Sequence, residues 1–331
     1  MNKSVSDKKM HEVYERLRTP VKLGAVIKEE NGALCDSPTI FQKDGIWYMM
    51  YVSIDPSTAD CGYETYLASS EDLVHWTKLG RILTRPKTGW DANQVDGELA
   101  LIDIDFGGEY ALNRFDGKYW CSYIGGALPG YEPDPLHTGY AYTEDPTASK
   151  EWIRLEKPVL TTEDKDVRSF ESATIYRTFI FEDETRTLGH RFVMFYNGKS
   201  KEIHKEQIGI CVSDDFYTWH RYLDGPVVSN IDDPSNYISG DPQIIKMDDI
   251  WGMVYFRADS GRGAYDTFAC SYDLVNWTLW DGEPLIRPSE DFDDLFAHKP
   301  YIIFHNGTVY HFYCACNKKG ERFLALAVSE Q

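Results

Sequence analysis

Short apolar runs recur along this chain with a two-residue alternation and almost no helical period. The recurrence is a repeat. Its first element is an acidic residue or histidine followed four positions later by isoleucine: Asp36 to Ile40, Glu98 to Ile102, Glu171 to Ile175, Asp241 to Ile245 and His298 to Ile302. An aromatic-rich alternating strand follows, as in Trp47-Tyr48-Met49-Met50-Tyr51, Tyr119-Trp120-Cys121-Ser122-Tyr123 and Val309-Tyr310-His311-Phe312-Tyr313. Asp44-Gly45, Asp116-Gly117 and Asn306-Gly307 precede these runs, and such pairs tolerate the positive φ of a hairpin turn. Arg191 to Tyr196 and Trp251 to Tyr255 fill the same slot in the other two copies.

A third alternating strand, an acidic turn and a tryptophan close the copies at Trp76, Trp219 and Trp277, and Gly139 to Trp152 is a stretched version. Lys78 to Leu83 reads as a fourth, outer strand. Units of three or four antiparallel strands, repeated five times, predict an all-β fold, a five-bladed β-propeller over residues 31–331. Residues 1–30 hold the exceptions. Met10 to Arg18 has helical character ended by Pro20, and Val21 to Ile27 is an apolar segment without a blade. The last copy lacks an outer strand, so Val21 to Ile27 is expected to supply it and close the ring.

Composition sharpens this picture. With 22 Tyr, 16 Phe and 9 Trp, the chain favours half-buried strand surfaces. A formal net charge of -19 disfavours nucleic acid and anionic membranes as partners. The 7 cysteines are odd in number and lack Cys-x-x-Cys spacing, so they read as reduced core thiols. No apolar leader and no run of 18 apolar residues is present, which predicts a cytoplasmic protein, or a periplasmic or secreted one if a signal peptide has been trimmed.

Innermost strands of such a ring begin near its axis, where distant residues converge. Four of the five starting positions are acidic. Local backbone bonding accounts for an acid at one strand start, but four converging carboxylates repel each other unless chemistry or a cation compensates. Glycoside hydrolysis requires paired carboxylates, one protonated and one ionised. Aromatic residues suit sugar faces, and Trp90, Phe170, Tyr237 and Phe296 flank the key positions. Arg168, Arg257 and Lys299 are candidates to bind a substrate carboxylate or phosphate, or to balance the acids.

The phrases Asp36-Ser37-Pro38-Thr39-Ile40-Phe41, Ser69-Ser70-Glu71-Asp72-Leu73-Val74-His75-Trp76, Phe170-Glu171-Ser172-Ala173-Thr174-Ile175-Tyr176 and His298-Lys299-Pro300-Tyr301 resemble the five-bladed glycosidases related to glycoside hydrolase families 43, 32, 68, 117 and 130. The resemblance implies that Asp36 is the general base or nucleophile. It implies that His298 helps hold a central, calcium-like divalent cation or a water. For the general acid, residue type and context nominate Glu171 and blade position nominates Asp241. A family 117-like option uses a histidine, His298 or His137. Glu98 and Asp96 compete for the second-blade position.

The expected activity is therefore an exo-acting glycoside hydrolase cleaving a terminal sugar, of arabinose, xylose or galactose type, from a plant or algal oligosaccharide. Its expected catalytic residues are Asp36, Glu171 and Asp241; Glu98, Trp90, Phe170, Arg168, Arg257 and His298 are expected to bind substrate. Two alternatives remain open at this level: a non-catalytic carbohydrate-binding propeller and a phosphate-dependent phosphorylase.

Overall fold

Alternation along these strands has a simple result: neighbouring segments pair antiparallel and bury aromatic residues between them. The computed structural model describes residues 4–330. Helix α1 (Asp7–Leu17) starts at Ser6, whose side chain accepts from Lys9 N, and buries Met10, Val13 and Leu17 on one face. Strand β1 (Val21–Ile27) follows Pro20. Then come five antiparallel units of successive hairpins.

The first unit comprises β2 (Leu34–Lys43), β3 (Ile46–Ile54), β4 (Glu64–Ser70) and β5 (Thr77–Leu83), and the second β6 (Gln94–Leu99), β7 (Tyr119–Gly126), β8 (His137–Thr143) and β9 (Ile153–Arg154). The third holds β10 (Thr174–Glu182), β11 (Phe192–Lys199), β12 (Glu206–Ser213) and β13 (His220–Arg221). The fourth holds β14 (Asn236–Met247), β15 (Ile250–Asp259), β16 (Gly263–Ser271) and β17 (Thr278–Leu279). In the last, β18 (Phe296–His305), β19 (Thr308–Cys316) and β20 (Arg322–Val328) are joined by β1, which pairs antiparallel with β20 from Val21↔Val328 to Ile27↔Leu324. Strand β2 packs against β18, β19 and β20, so the first unit adjoins the last. Among the described residues no helix is long and apolar enough to cross a membrane.

Local chemistry explains the repeated turn and tryptophan. Ser70 Oγ accepts from Leu73 N, Asp72 Oδ1 accepts from Val74 N and His75 N, and Trp76 Nε1 donates to Leu73 O. The same device recurs at Ser213-Asp215-Phe216, and Leu73, Phe216 and Leu274 all take positive φ there. An acid at this turn is thus a backbone acceptor.

The inner strands share a second device. Their ladders slip between Asp36 and Thr39, between Gly240 and Gln243, and between His298 and Tyr301. In each, a residue at positive φ precedes a proline: Ser37-Pro38, Asp241-Pro242 and Lys299-Pro300. Strand β10 slips likewise between Ile175 and Thr178. These bulges re-aim side chains, and they correct the repeat read from sequence. Asp36 and His298 are equivalent, Asp241 stands one residue further on beside Ser37 and Lys299, and Glu171 lies on a 3₁₀ turn (Ser169–Glu171) before β10 begins. In the second unit Asp96 pairs with Ile124 as Asp36 pairs with Val52, so Asp96, not Glu98, is the counterpart of Asp36.

Candidate active site

Three cations meet here: Arg177 and Lys299 lie in the bulged stretches of β10 and β18, and Arg322 opens β20. Lys299 Nζ lies 3.1 Å and Arg322 Nη1 2.8 Å from Asp36 Oδ2, which also accepts from the Tyr63 hydroxyl at 3.1 Å. Asp36 is wholly buried. Burial alone would push its carboxyl up, yet Lys299 and Arg322 together hold it far below the usual carboxylate range. Arg177 Nη1 meets Asp96 Oδ1 at 2.5 Å, and its Nε is 3.4 Å from Glu98 Oε2. Glu98 also accepts from Thr178 N and Oγ1. Burial pushes Asp96 and Glu98 up to about 7 against the pull of Arg177.

Above this charged floor opens a cavity of about 320 Å³, lined by Glu132, Glu206, Asp241, His298, Tyr176 and Tyr237 among others. Arg177, Asp241 and Lys299 line both this cavity and a second void of about 20 Å³, so they stand between the two. Asp241 Oδ2 has no hydrogen-bond partner among the described residues and stands 3.9 Å from Arg177 Nε and 4.0 Å from Lys299 Nζ. Burial raises its carboxyl above the ordinary value.

Glu132 and Glu206 line the cavity together with Asp241. Glu206 begins β12, and its Oε2 accepts from Asn197 Nδ2 at 2.9 Å. Burial, with Glu132 and Asp241 adding negative charge, pushes Glu206 up to about 8. Glu132 takes positive φ in the loop between β7 and β8. Burial raises it to about 7, with Lys299 opposing and Asp96, Asp36 and Asp241 reinforcing. Its neighbour Tyr131 anchors this loop, accepting a hydrogen bond from Arg322 Nη1 and packing edge-on against Tyr63. No motif announced either glutamate: one is in a loop and the other starts a third strand, outside the repeated inner position.

Of the residues proposed from sequence, Asp241 and His298 line the cavity, and Asp36 and Glu98 lie in the ion-paired layer beneath it. Tyr237 and Phe296 also reach the cavity. The structure does not bring Glu171 there. Its carboxylate is buried between Arg168 and Arg221 and accepts from the Tyr196 hydroxyl. Phe170 packs with them beneath the Arg168 guanidinium. Trp90 stacks on Tyr123 and donates to Glu156 O, Arg257 pairs with Asp233 and Asp259, and His137 accepts from Thr162 N. None of these residues lines the cavity.

A calcium-like cation does not fit this donor set. Hard carboxylate oxygens would have to converge on it, but Asp36 is engaged by Lys299 and Arg322 and Asp96 by Arg177. Burial holds His298 neutral, down to about 3, and its Nδ1 faces Cys314 O at 3.2 Å.

A solved structure of BT0996, described as a complex with RGII, is 42% identical to this sequence over 99% of this chain and 96% of that one, with a TM-score of 0.94. A second, named "Glycoside hydrolase", matches to the same extent. The chain belongs to the propeller glycoside hydrolases. The family model "Glycosyl hydrolases family 32 N-terminal domain" matches residues 139–292 of this glycoside hydrolase. Its fold is also shared by a family 117 glycoside hydrolase from the marine bacterium Zobellia galactanivorans, at 14% identity, 95% and 91% coverage of the two chains and a TM-score of 0.67. No curated protein matches the sequence.

Proposed function

We propose that this glycoside hydrolase removes a terminal sugar from an oligosaccharide, with Glu206 as general acid and Glu132 as its carboxylate partner, in a ring of five blades closed by β1. The observation that carries the reading is the pair of cavity carboxyls displaced upward to about 8 and about 7. A group at about 8 keeps its proton near neutral pH and can deliver it to the leaving oxygen. Lys299 favours the ionised form of Glu132, which attacks the anomeric carbon directly or through water. Asp36, engaged by two cations, acts as their anchor, and Asp241 lines the cavity beside Arg177 and Lys299.

The exo mode is supported by Arg177, Asp241 and Lys299, whose side chains stand between the cavity and the smaller void and so bound the cavity on that side. The BT0996 structure is a complex with RGII, and that carbohydrate ligand supports an oligosaccharide substrate here. The deciding assay measures release of free monosaccharide from plant oligosaccharides without phosphate by wild type, Glu206→Gln and Glu132→Gln. Each variant is expected to lose at least about 100-fold in turnover. Wild-type rates in both, or cleavage that requires phosphate, would overturn the proposal.

A further inference from the structure

We propose that His298, Cys314 and Cys316 form a binding site for a thiophilic divalent cation of the Zn²⁺ type, whose occupation inhibits the enzyme. Phe296 and His298 alternate on β18 and both line the cavity; their register partners on β19 are Cys316 and Cys314. Directly paired residues share a sheet face, so the two thiols lie beside the imidazole, both buried, with Cys314 Sγ also donating to Cys35 O at 3.7 Å. Candidate ligand atoms of the three residues lie within 4.8 Å of one another. The two sulfurs are 4.0 Å apart. Tetrahedral zinc with Zn–S bonds of about 2.3 Å sets its sulfurs about 3.8 Å apart, so the thiols are spaced as such a pair before any metal arrives.

The surroundings suit the same ion. His298 Nδ1 faces the Cys314 carbonyl at 3.2 Å; donation there leaves the Nε2 lone pair free, the usual arrangement of a metal-bound histidine. Arg322 Nε donates to Cys316 Sγ at 3.2 Å and stabilises a thiolate. Two thiolates balance a divalent charge, so coordination adds no net charge beside Asp36, Arg322 and Lys299. Binding exchanges two S–H bonds for two S–metal bonds and releases two protons to solvent, with no electron transfer. Thiolate softness selects zinc-like ions over calcium. Three protein ligands leave a fourth position, and His298 is the ligand that also lines the cavity. An ion so placed narrows the sugar site. Only this inhibitory half rests on the proposed hydrolysis.

The test titrates reduced, metal-free protein with Co²⁺ alone. One equivalent is expected to give a thiolate-to-cobalt charge-transfer band, which Zn²⁺ then removes by displacement. Cys316→Ser should abolish the band, leave metal-free turnover unchanged and weaken Zn²⁺ inhibition at least about tenfold. Absence of the band in wild type, or its survival in Cys316→Ser, overturns the site. If that variant does not fold, the wild-type titration still decides. A cobalt band without inhibition overturns the inhibitory half alone, and a missing hydrolase activity leaves the spectral result readable.

Discussion

Lys299 Nζ of the last unit lies 3.1 Å from Asp36 Oδ2 of the first, joining the two ends of the repeat at the axis. The pair also tunes the cavity wall above it, because Asp36 raises Glu132 while Lys299 lowers it. Two substitutions should therefore move the acid limb of kcat/KM in opposite directions. Asp36→Asn removes a negative charge and stabilises ionised Glu132, so the limb moves to lower pH. Lys299→Met removes the opposing cation, so the limb moves to higher pH. Each shift is expected on the order of one pH unit, read from pH–rate profiles.

The wild-type profile itself should be bell-shaped. Activity needs Glu132 ionised and Glu206 protonated, so it rises through the acid limb near 7 and falls through the alkaline limb near 8. Glu206→Gln should remove the alkaline limb from whatever rate remains. A profile flat from pH 6 to about 9 would contradict the assignment.

Glu171→Gln separates structure from chemistry. The substitution leaves Arg168, its side chain 8% exposed, without its carboxylate, while Arg221 keeps Asp164 and Asp166. A loss of about 3 kcal/mol in unfolding free energy is expected, measured by denaturant titration, with turnover per folded molecule near wild type. A hundredfold loss in kcat at intact stability would return Glu171 to the catalytic machinery.

Burial holds His311 down to about 3, below the ordinary histidine value of about 6.5. Between those values this ring binds more protons in the unfolded chain than in the folded one, so its own contribution to stability is lost as pH falls below about 6.5, at about 1.4 kcal/mol per pH unit. His311→Gln should flatten the acid side of the stability profile, measured by thermal melts from pH 7 to about 5. An unchanged slope would contradict the burial of a neutral ring.

Deleting residues 1–27 should abolish cooperative folding. The deletion removes β1 from its pairing with β20, the Lys22–Asp293 ion pair and the Thr19 hydroxyl that meets His311 Nδ1. Thermal melts decide it: a retained wild-type midpoint would show that the last unit stands without its outer strand.

Much of the fold was legible along the chain because its signals are local. Alternation marked the strands, Asp-Gly and Asn-Gly pairs the hairpins, and Ser-x-Asp turns with a following Trp the ends of units. The absence of an outer strand in the last copy, beside the unassigned Val21 to Ile27, pointed to the pairing that the structure contains.

The site was legible only in part. Sequence placed Asp36, Asp241 and His298 at the axis, because each starts or bulges from an inner strand. Tertiary structure alone decided which groups they meet there. A one-residue bulge and a 3₁₀ turn shifted the apparent repeat, so the acid of the third copy fell among Arg168, Arg221 and Tyr196. Glu132 and Glu206 acquired their character from burial and from charges far away in the chain. A proton affinity set by neighbours across five units has no local signature; a strand's alternation does.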